Sequence, residues 1–255
     1  MAAASGIRAV VCDIDGVILH NNAPLPGAQA FLHGLQERDV PFLLLTNYPS
    51  QTPADLQNRF QQAGIEVPVE RFYTSTMATA AFLRRQSGRR AFVIGEGALT
   101  HALYSEGFTL TEQNPDFVIV GETRAYNWEM IHQAAKLIKK GARFIATNPD
   151  VAGPDAQPAC GALCAPIERI TGKQPFYVGK PSPWVMRAAL NAMEAHSDES
   201  VMIGDNMRTD ILAGTQAGMR TILVMSGVTK PAELDLHPYQ PSYVFENVGE
   251  IDVLP

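Results

Sequence analysis

Four polar residues of this chain stand at the ends of short apolar runs: Asp13 after Ala9-Val10-Val11-Cys12, Thr46 after Phe42-Leu43-Leu44-Leu45, Lys180 after the segment Pro175 to Val178 and Gly179, and Asp205 after Val201-Met202-Ile203-Gly204. A second carboxylate, Asp15, lies two residues beyond the first. Together these groups suit phosphoryl transfer. A carboxylate can attack phosphorus and form an aspartyl-phosphate. Another just beyond it can protonate the leaving alcohol and later activate water. Asp13 and Asp205 are hard oxygen ligands of the kind Mg²⁺ takes up with waters and substrate phosphate, and such an ion would offset the repulsion between phosphate and an attacking carboxylate. Lys180 adds a second positive charge, and Thr46 with turn amides can donate to phosphoryl oxygens. Singly, each has an ordinary explanation: an aspartate after a strand caps a helix or a turn, and a lone lysine sits at a surface. Their joint placement makes those explanations weaker than the chemical one.

The elements that must position them alternate between strand and helix. Ala9–Cys12 is apolar throughout, as expected of a strand buried on both faces. Ala28, Phe31, Leu32 and Leu35 fall at i, i+3, i+4, i+7, one face of a helix that Pro26-Gly27 introduces. Pro41–Leu45 predicts a second buried strand. Thr52 can cap the next helix, with Pro53 at its first position, Asp55 in its first turn, Leu56, Phe60 and Ala63 inward, and Gly64 as its stop. The middle repeats the alternation: strands at 91–94, 117–120 and 143–146, with a helix capped by Asn127 that turns Ile131, Ala134, Ala135 and Ile138 inward. Ser182 and Pro183 start a helix after Lys180, a further helix runs through Ile211 to Ala217, and 221–224 is the last clear strand. This order predicts an α/β fold with a parallel sheet. In such a sheet Asp13, Thr46, Lys180 and Asp205 share the carboxyl edge, where open α/β folds bind ligands.

Composition narrows the classes. Of 255 residues, 46% are hydrophobic and 18% charged, an ordinary globular balance, and the net charge of −6 argues against a nucleic-acid binder. Arg84-Arg85 and Arg89-Arg90, the densest basic cluster, read as a solvated helix end and loop. No run reaches the roughly 18 apolar residues of a membrane span, and the first residues carry no signal-peptide apolar region. Three cysteines are an odd count for a secreted disulfide scaffold. Cys12 reads as core, and Cys160 and Cys164 lack partners for zinc. The expectation is a reduced, cytoplasmic protein acting on a small phosphorylated metabolite, with no polymer or membrane partner, as a monomer or a homo-oligomer.

Asp13-Ile14-Asp15-Gly16-Val17 resembles the D-x-D-G-[VT] signature of the haloacid dehalogenase (HAD) superfamily phosphatases. Leu45-Thr46-Asn47, Gly179-Lys180-Pro181 and Gly204-Asp205-Asn206 with Thr209-Asp210 are similar to its second, third and fourth motifs, in family order. The resemblance implies that Asp13 is the nucleophile and Asp15 the general acid/base. It implies further that Asp13, the Asp15 carbonyl and Asp205 hold Mg²⁺, that Thr46 and Asn47 bind phosphate, and that Lys180 stabilises charge. Asp210 is then expected to orient Lys180 or a metal-bound water. Dehalogenase members lack an acid at the position of Asp15 and P-type ATPases carry threonine there, so Asp15 favours a phosphatase or phosphomutase. The roughly 130 residues between the second and third motifs resemble a large inserted α/β cap of the C2a type, which implies a Rossmann-like HAD core of residues 1–87 and 177–255 and a smaller cap domain of residues 88–176. Thr46-Asn47-Tyr48-Pro49-Ser50, Gly95-Glu96-Gly97-Ala98-Leu99, Thr147-Asn148-Pro149-Asp150 and Gly179-Lys180-Pro181-Ser182-Pro183 are similar to the NagD-type phosphatases. That likeness implies ribonucleoside monophosphates, UMP and GMP among them, as substrates. A sugar phosphate, phosphoglycolate or pyridoxal phosphate is the alternative within enzymes, and a non-catalytic nucleotide-binding module the alternative outside them.

Other signals carry less. Gly95-Glu96-Gly97 begins a dinucleotide fingerprint, but Thr100 stands where its third glycine belongs, which leaves a tight strand-to-helix turn. Asn148 and Asp150 either face substrate or form a proline-anchored turn, Tyr48 lines an entrance or packs on Pro49, His20 reads as a loop residue, and Trp128 and Trp184 as core or hinge packing.

Overall fold

The computed structural model describes residues 6–153 and 156–251. The apolar run at Ala9–Cys12 forms β1, followed by a small hairpin, β2 (Leu19–His20) and β3 (Ala23–Pro24). Helix α1 (Ala28–Glu37) buries Ala28, Phe31, Leu32 and Leu35, the face read from its spacing. β4 (Phe42–Thr46) is buried along its whole length. α2 (Pro53–Gln62) turns Leu56 and Phe60 inward, and the Phe60 ring meets Phe72 of β5 (Phe72–Thr74) edge-on at 5.0 Å. Each such ring, fully buried, contributes about 1.5–3 kcal/mol. Then come α3 (Ser75–Arg84), β6 (Arg90–Ile94), α4 (Gly97–Ser105), β7 (Thr109–Leu110), β8 (Phe117–Val120), α5 (Trp128–Lys139), β9 (Arg143–Ala146), α6 (Cys160–Thr171) and β10 (Phe176–Tyr177). α7 (Pro183–Ala192), β11 (Ser200–Gly204), a π-helical turn (Met207–Ile211), α8 (Leu212–Gln216), β12 (Arg220–Val224) and β13 (Tyr243–Phe245) complete the described chain.

Backbone packing gathers these elements into two units. One comprises the chain up to Thr46, Pro53–Tyr73, and everything from Lys180 onward; the other comprises Asn47–Thr52 and Thr74–Gly179. The first is built on a six-stranded sheet of order β13-β12-β11-β1-β4-β5, whose pairs from β13 to β4 run parallel. The second has a parallel five-stranded sheet of order β10-β9-β8-β6-β7. Each has its own core: Val10, Cys12, Ile14, Phe42, Leu44 and Ile203 are among the buried residues of the first, and Val118, Val120, Ile138, Phe144 and Ile167 of the second. The units divide at Tyr73/Thr74 and Gly179/Lys180, where the resemblance implied 87/88 and 176/177, because α3 packs on α4 and groups with the second unit.

Two further expectations change. Trp128 is 68% exposed at the first position of α5, stacked on His132 at 5.0 Å, so it is not core. The helix expected through Ile211 opens with a π-turn instead of α-helical turns. Among the described residues no helix is long and apolar enough to cross a membrane.

Candidate active site

Register brings the chemistry of the first unit together. β1 pairs with β11 so that Cys12 faces Ile203, and with β4 so that Cys12 faces Leu44. Asp13 and Asp205, one residue beyond their strands, therefore emerge side by side, with the Asp13 N–H bonded to the Ile203 carbonyl at 2.9 Å. Lys180 is 2% exposed, and its ammonium lies 2.8 Å from Asp13 Oδ1 and 2.7 Å from Asp210 Oδ1. It also donates to the Leu45 carbonyl at 3.3 Å. Asp13 Oδ1 accepts a second bond from the Ile14 N–H at 2.8 Å, so one oxygen of this carboxylate is fixed from two sides.

Asp210 is fully buried, and the π-turn accounts for its reach. The Asp210 and Ile211 N–H groups both bond the Asn206 carbonyl, at 3.0 and 3.3 Å, and this widened turn lets Asp210 Oδ2 accept from the Asn206 N–H at 3.1 Å. Single π-turns of this kind are frequent at functional sites. Gly204 is obligatory beside it, since a Cβ there would lie 2.1 Å from that of Asp210. Asp205 is held in turn by the loop after β12: its Oδ2 accepts from the Val228 N–H at 2.7 Å and its carbonyl from the Thr229 N–H at 3.0 Å.

The result is a charge imbalance. Carboxylate oxygens of Asp13, Asp205 and Asp210 lie within 4.8 Å of one another, with the Lys180 ammonium against two of them. Burial pushes Asp13 well above the usual carboxylate range, against the pull of Lys180 and with the repulsion of Asp210 and Asp205 added. Burial and then the charge of Asp210 push Asp205 up to about 7. Burial alone would lower the pKa of Lys180, but Asp13 and Asp210 outweigh it, and the ammonium is held charged. The three carboxylates fit a hard divalent cation in donor type, spacing and missing charge.

Comparison with known proteins agrees with this geometry. The family model for haloacid dehalogenase-like hydrolases matches residues 10–109, and a HAD-hydrolase-like model matches 177–251. Over 248 residues the chain is 62% identical to the ribonucleotide monophosphatase NagD of Escherichia coli K12, covering 97% of this chain and 99% of that one. The chain belongs to the haloacid dehalogenase-like hydrolases. Within this family it is also 46% identical to a dihydroxyacetone phosphatase of Corynebacterium glutamicum, over 94% of this chain and 88% of the relative. Among solved structures, NagD from E. coli K-12 superposes with a TM-score of 0.95 at 63% identity, covering 96% of this chain and 98% of that one. The 4-nitrophenylphosphatase of Thermotoga maritima does so at 0.93 and 32%, covering 98% of each chain. As a haloacid dehalogenase-like hydrolase of this group, the protein is a phosphatase, a phosphoric monoester hydrolase.

The other residues singled out in the sequence lie as follows. Asp15 stands apart from the three grouped carboxylates: its Oδ1 accepts from Arg59 Nη2 at 2.6 Å. Thr46, at the end of β4, is 4% exposed. Asn47 belongs to the second unit, where its Nδ2 donates to Asp150 Oδ2 at 3.0 Å and its carbonyl accepts from Asn148 Nδ2 at 2.9 Å and Ser75 Oγ at 2.7 Å. Asn148 is thus a buried clamp on the segment that follows β4. Near it, burial and the charge of Asp150 push Glu122 up to about 7, while the Cys160 N–H and Asn148 oppose the shift.

Two features escaped the sequence reading. The loop Ser226–Thr229 was legible in principle, because it follows β12 as one more strand end at the same edge. Besides holding Asp205, it is tied to the turn after β1, Ser226 Oγ donating to the Gly16 carbonyl at 2.7 Å. Gly227 is forced, since its Cβ would fall 1.8 Å from Asp205 Oδ2. Arg59 gave no signal, being one polar residue among several on α2.

Proposed function

We propose that the chain hydrolyses ribonucleoside monophosphates, UMP and GMP among them, through an aspartyl-phosphate on Asp13. The observation that carries this reading is the buried Lys180 bridging Asp13 and Asp210 beside Asp205, joined to the 62% identity with a relative named as a ribonucleotide monophosphatase. Lys180 and the Ile14 N–H fix Asp13 Oδ1, which sets the direction of Oδ2 for attack on phosphorus. Thr46 and Asn47 bind the phosphoryl oxygens, and Lys180 offsets the charge that accumulates on them. Asp210 orients Lys180. As Asp13 bonds to phosphorus and the ester P–O bond breaks, Asp15 gives its proton to the leaving oxygen. It then takes a proton from the water that attacks the aspartyl-phosphate, and inorganic phosphate and free Asp13 result. Asp13, the Asp15 carbonyl and Asp205 would hold magnesium, which when bound would supply positive charge that lets an anionic phosphate approach a carboxylate.

On this reading residues 88–176 form a cap that excludes water from the reaction, and the enzyme works in the cytoplasm, as a monomer or a homo-oligomer, on a freely diffusing metabolite. A panel of phosphorylated metabolites assayed for released phosphate with Mg²⁺ tests it. Nucleoside monophosphates should give the highest kcat/KM. Preference for dihydroxyacetone phosphate or another sugar phosphate would overturn the substrate and keep the mechanism. Appreciable turnover by Asp13→Asn would overturn the mechanism.

A further inference from the structure

Arg59 carries an inference that rests on the reading of Asp15 as acid and base. α2 delivers its side chain to two partners on separate segments: Nη2 donates to Asp15 Oδ1 at 2.6 Å, and Nε donates to Asn22 Oδ1 at 2.6 Å. Asn22 sits in the turn of the β2–β3 hairpin with φ +64°. The side chain of Arg59 is 16% exposed, whereas that of Asp15 is 53% exposed. An exposed ion pair between two loose side chains is worth little. Here one member is largely buried and held at two of its nitrogens, Nε and Nη2, a geometry that fixes direction as well as distance. Asp15, by contrast, protrudes outside the group formed by Asp13, Asp205 and Asp210, and among the described residues its carboxylate is bonded by Arg59 alone.

We propose that Arg59 is a positioning residue for Asp15, pinning Oδ1 so that Oδ2 is the oxygen presented to the leaving group. An acid that is half exposed samples several rotamers when nothing holds it, and general acid catalysis depends on hydrogen-bond reach to one atom. Arg59 removes that freedom without touching substrate. In the first half-reaction the proton on Oδ2 passes to the ester oxygen as the P–O bond breaks. In the second, the same oxygen accepts a proton from the attacking water.

The test compares leaving groups. An alkyl phosphate that the wild type turns over, UMP on the present reading, releases a basic alkoxide oxygen that needs the proton, whereas p-nitrophenyl phosphate releases a stable phenolate that does not. Because kcat/KM reports the steps through formation of the aspartyl-phosphate, the later hydrolysis drops out. Arg59→Gln should lower kcat/KM for the alkyl phosphate by about tenfold or more, within the roughly 10²–10⁴ that a general acid contributes. For p-nitrophenyl phosphate the loss should stay below about threefold, on the same argument. Arg59→Lys should restore part of the difference. The double variant Asp15→Asn/Arg59→Gln should be no worse than Asp15→Asn alone, since residues acting as one unit are not additive. Equal losses on both substrates, no loss on either, or multiplicative losses in the double variant would overturn the proposal. Should Arg59→Gln not fold, Asn22→Ala on the exposed hairpin releases the Nε side of the same fork. It should show the same split between substrates at reduced size, and equal effects on both would overturn the proposal. An Asp15→Asn enzyme with undiminished turnover would instead refute the acid/base reading itself, while a crippled Asp15→Asn beside an unaffected Arg59→Gln refutes only the role of Arg59.

Discussion

Replacing Lys180 by methionine tests the electrostatic account of the site most directly. The side chain keeps most of its length and loses its charge. Two buried ion pairs, at 2.8 and 2.7 Å, disappear, along with the bond to the Leu45 carbonyl. What remains is Asp210, fully buried, and Asp13, 14% exposed, facing each other and Asp205 with no ammonium among them. Removing one partner of a buried pair costs about 3–5 kcal/mol. At about 2–4 °C per kcal/mol for a protein of this size, the melting temperature at pH 7.5 in EDTA should fall by about 6–20 °C. The loss should depend on pH in a definite sense. Without Lys180 the pKa values of Asp13 and Asp205, which its charge pulls down, rise further above their unfolded values, so between those two limits the folded state binds more protons than the unfolded one. Stability then falls as pH rises through that window, and the deficit should be smaller at pH 5 than at pH 7.5. Adding Asp210→Asn should recover part of the deficit by removing one of the stranded charges. Thermal unfolding followed by circular dichroism reads all three comparisons. A melting temperature within about 2 °C of wild type at pH 7.5, or a deficit that grows on acidification, would refute the reasoning.

Gly227→Ala should leave the fold intact and weaken magnesium, because a Cβ would fall 1.8 Å from Asp205 Oδ2 and displace the carboxylate from the Val228 N–H. A titration of activity with Mg²⁺ should show half-saturation raised by about tenfold or more, as expected when a metal ligand loses its hydrogen-bonded support. Metal-free wild-type protein should be less stable at pH 8 than at pH 5.5, since Asp205 and Glu122 have folded pKa values raised to about 7 and lose protons on folding-favoured sites across that range; saturating Mg²⁺ should flatten the Asp205 share of that slope in the same melting experiment. Asn148→Ala should destabilise the second unit by about 1–3 kcal/mol, because the Asn47 carbonyl and the Asp150 N–H lose a buried partner. Chemical denaturation reads the change, and the hydrogen bond from Ser75 Oγ to the same carbonyl sets the lower end of it.

What could be read without coordinates was whatever repeats with a period or ends a strand. β1, α1, β8 and β9 fall where their apolar spacing puts them, and Asn127 accepts from the Met130 N–H as the cap of α5. The elements that escaped are those whose patterns are weak: α3 is rich in buried Ser and Thr, α6 contains Pro166, and β13 is a short, half-exposed edge strand. The packing units divide the chain differently from the expected bounds for a related reason: Thr74 caps α3, but only the packing of α3 on α4 assigns that helix to the second unit. In the site, Asp13, Thr46 and Asp205 were legible because they stand at the ends of strands of the six-stranded sheet. Lys180 was expected at the same edge, but β10 before it belongs to the five-stranded sheet, and it is the side chain that reaches Asp13 and Asp210. Arg59 was not legible, because its meaning depends on a side-chain direction across 44 residues of sequence, and nothing in the period of α2 marks it. The π-turn was equally hidden, although it decides how Asp210 reaches Lys180.

The same crowding that makes the site useful links protons to metal. Three grouped carboxylates, two of them paired with one ammonium, are tolerable only if something neutralises the excess, and the candidates are protons or a divalent cation. With Asp205 raised to about 7 by burial and by Asp210, protons win part of that competition near neutrality when no cation is present. A cation must displace them to bind, so its apparent affinity should weaken as pH falls below about 7 and level off above it. A purely structural salt-bridge network would show no such coupling, because its charges would already balance. Measuring the Mg²⁺ dependence of activity at pH 6, 7 and 8 therefore separates a site assembled to receive a cation from one that is complete without it.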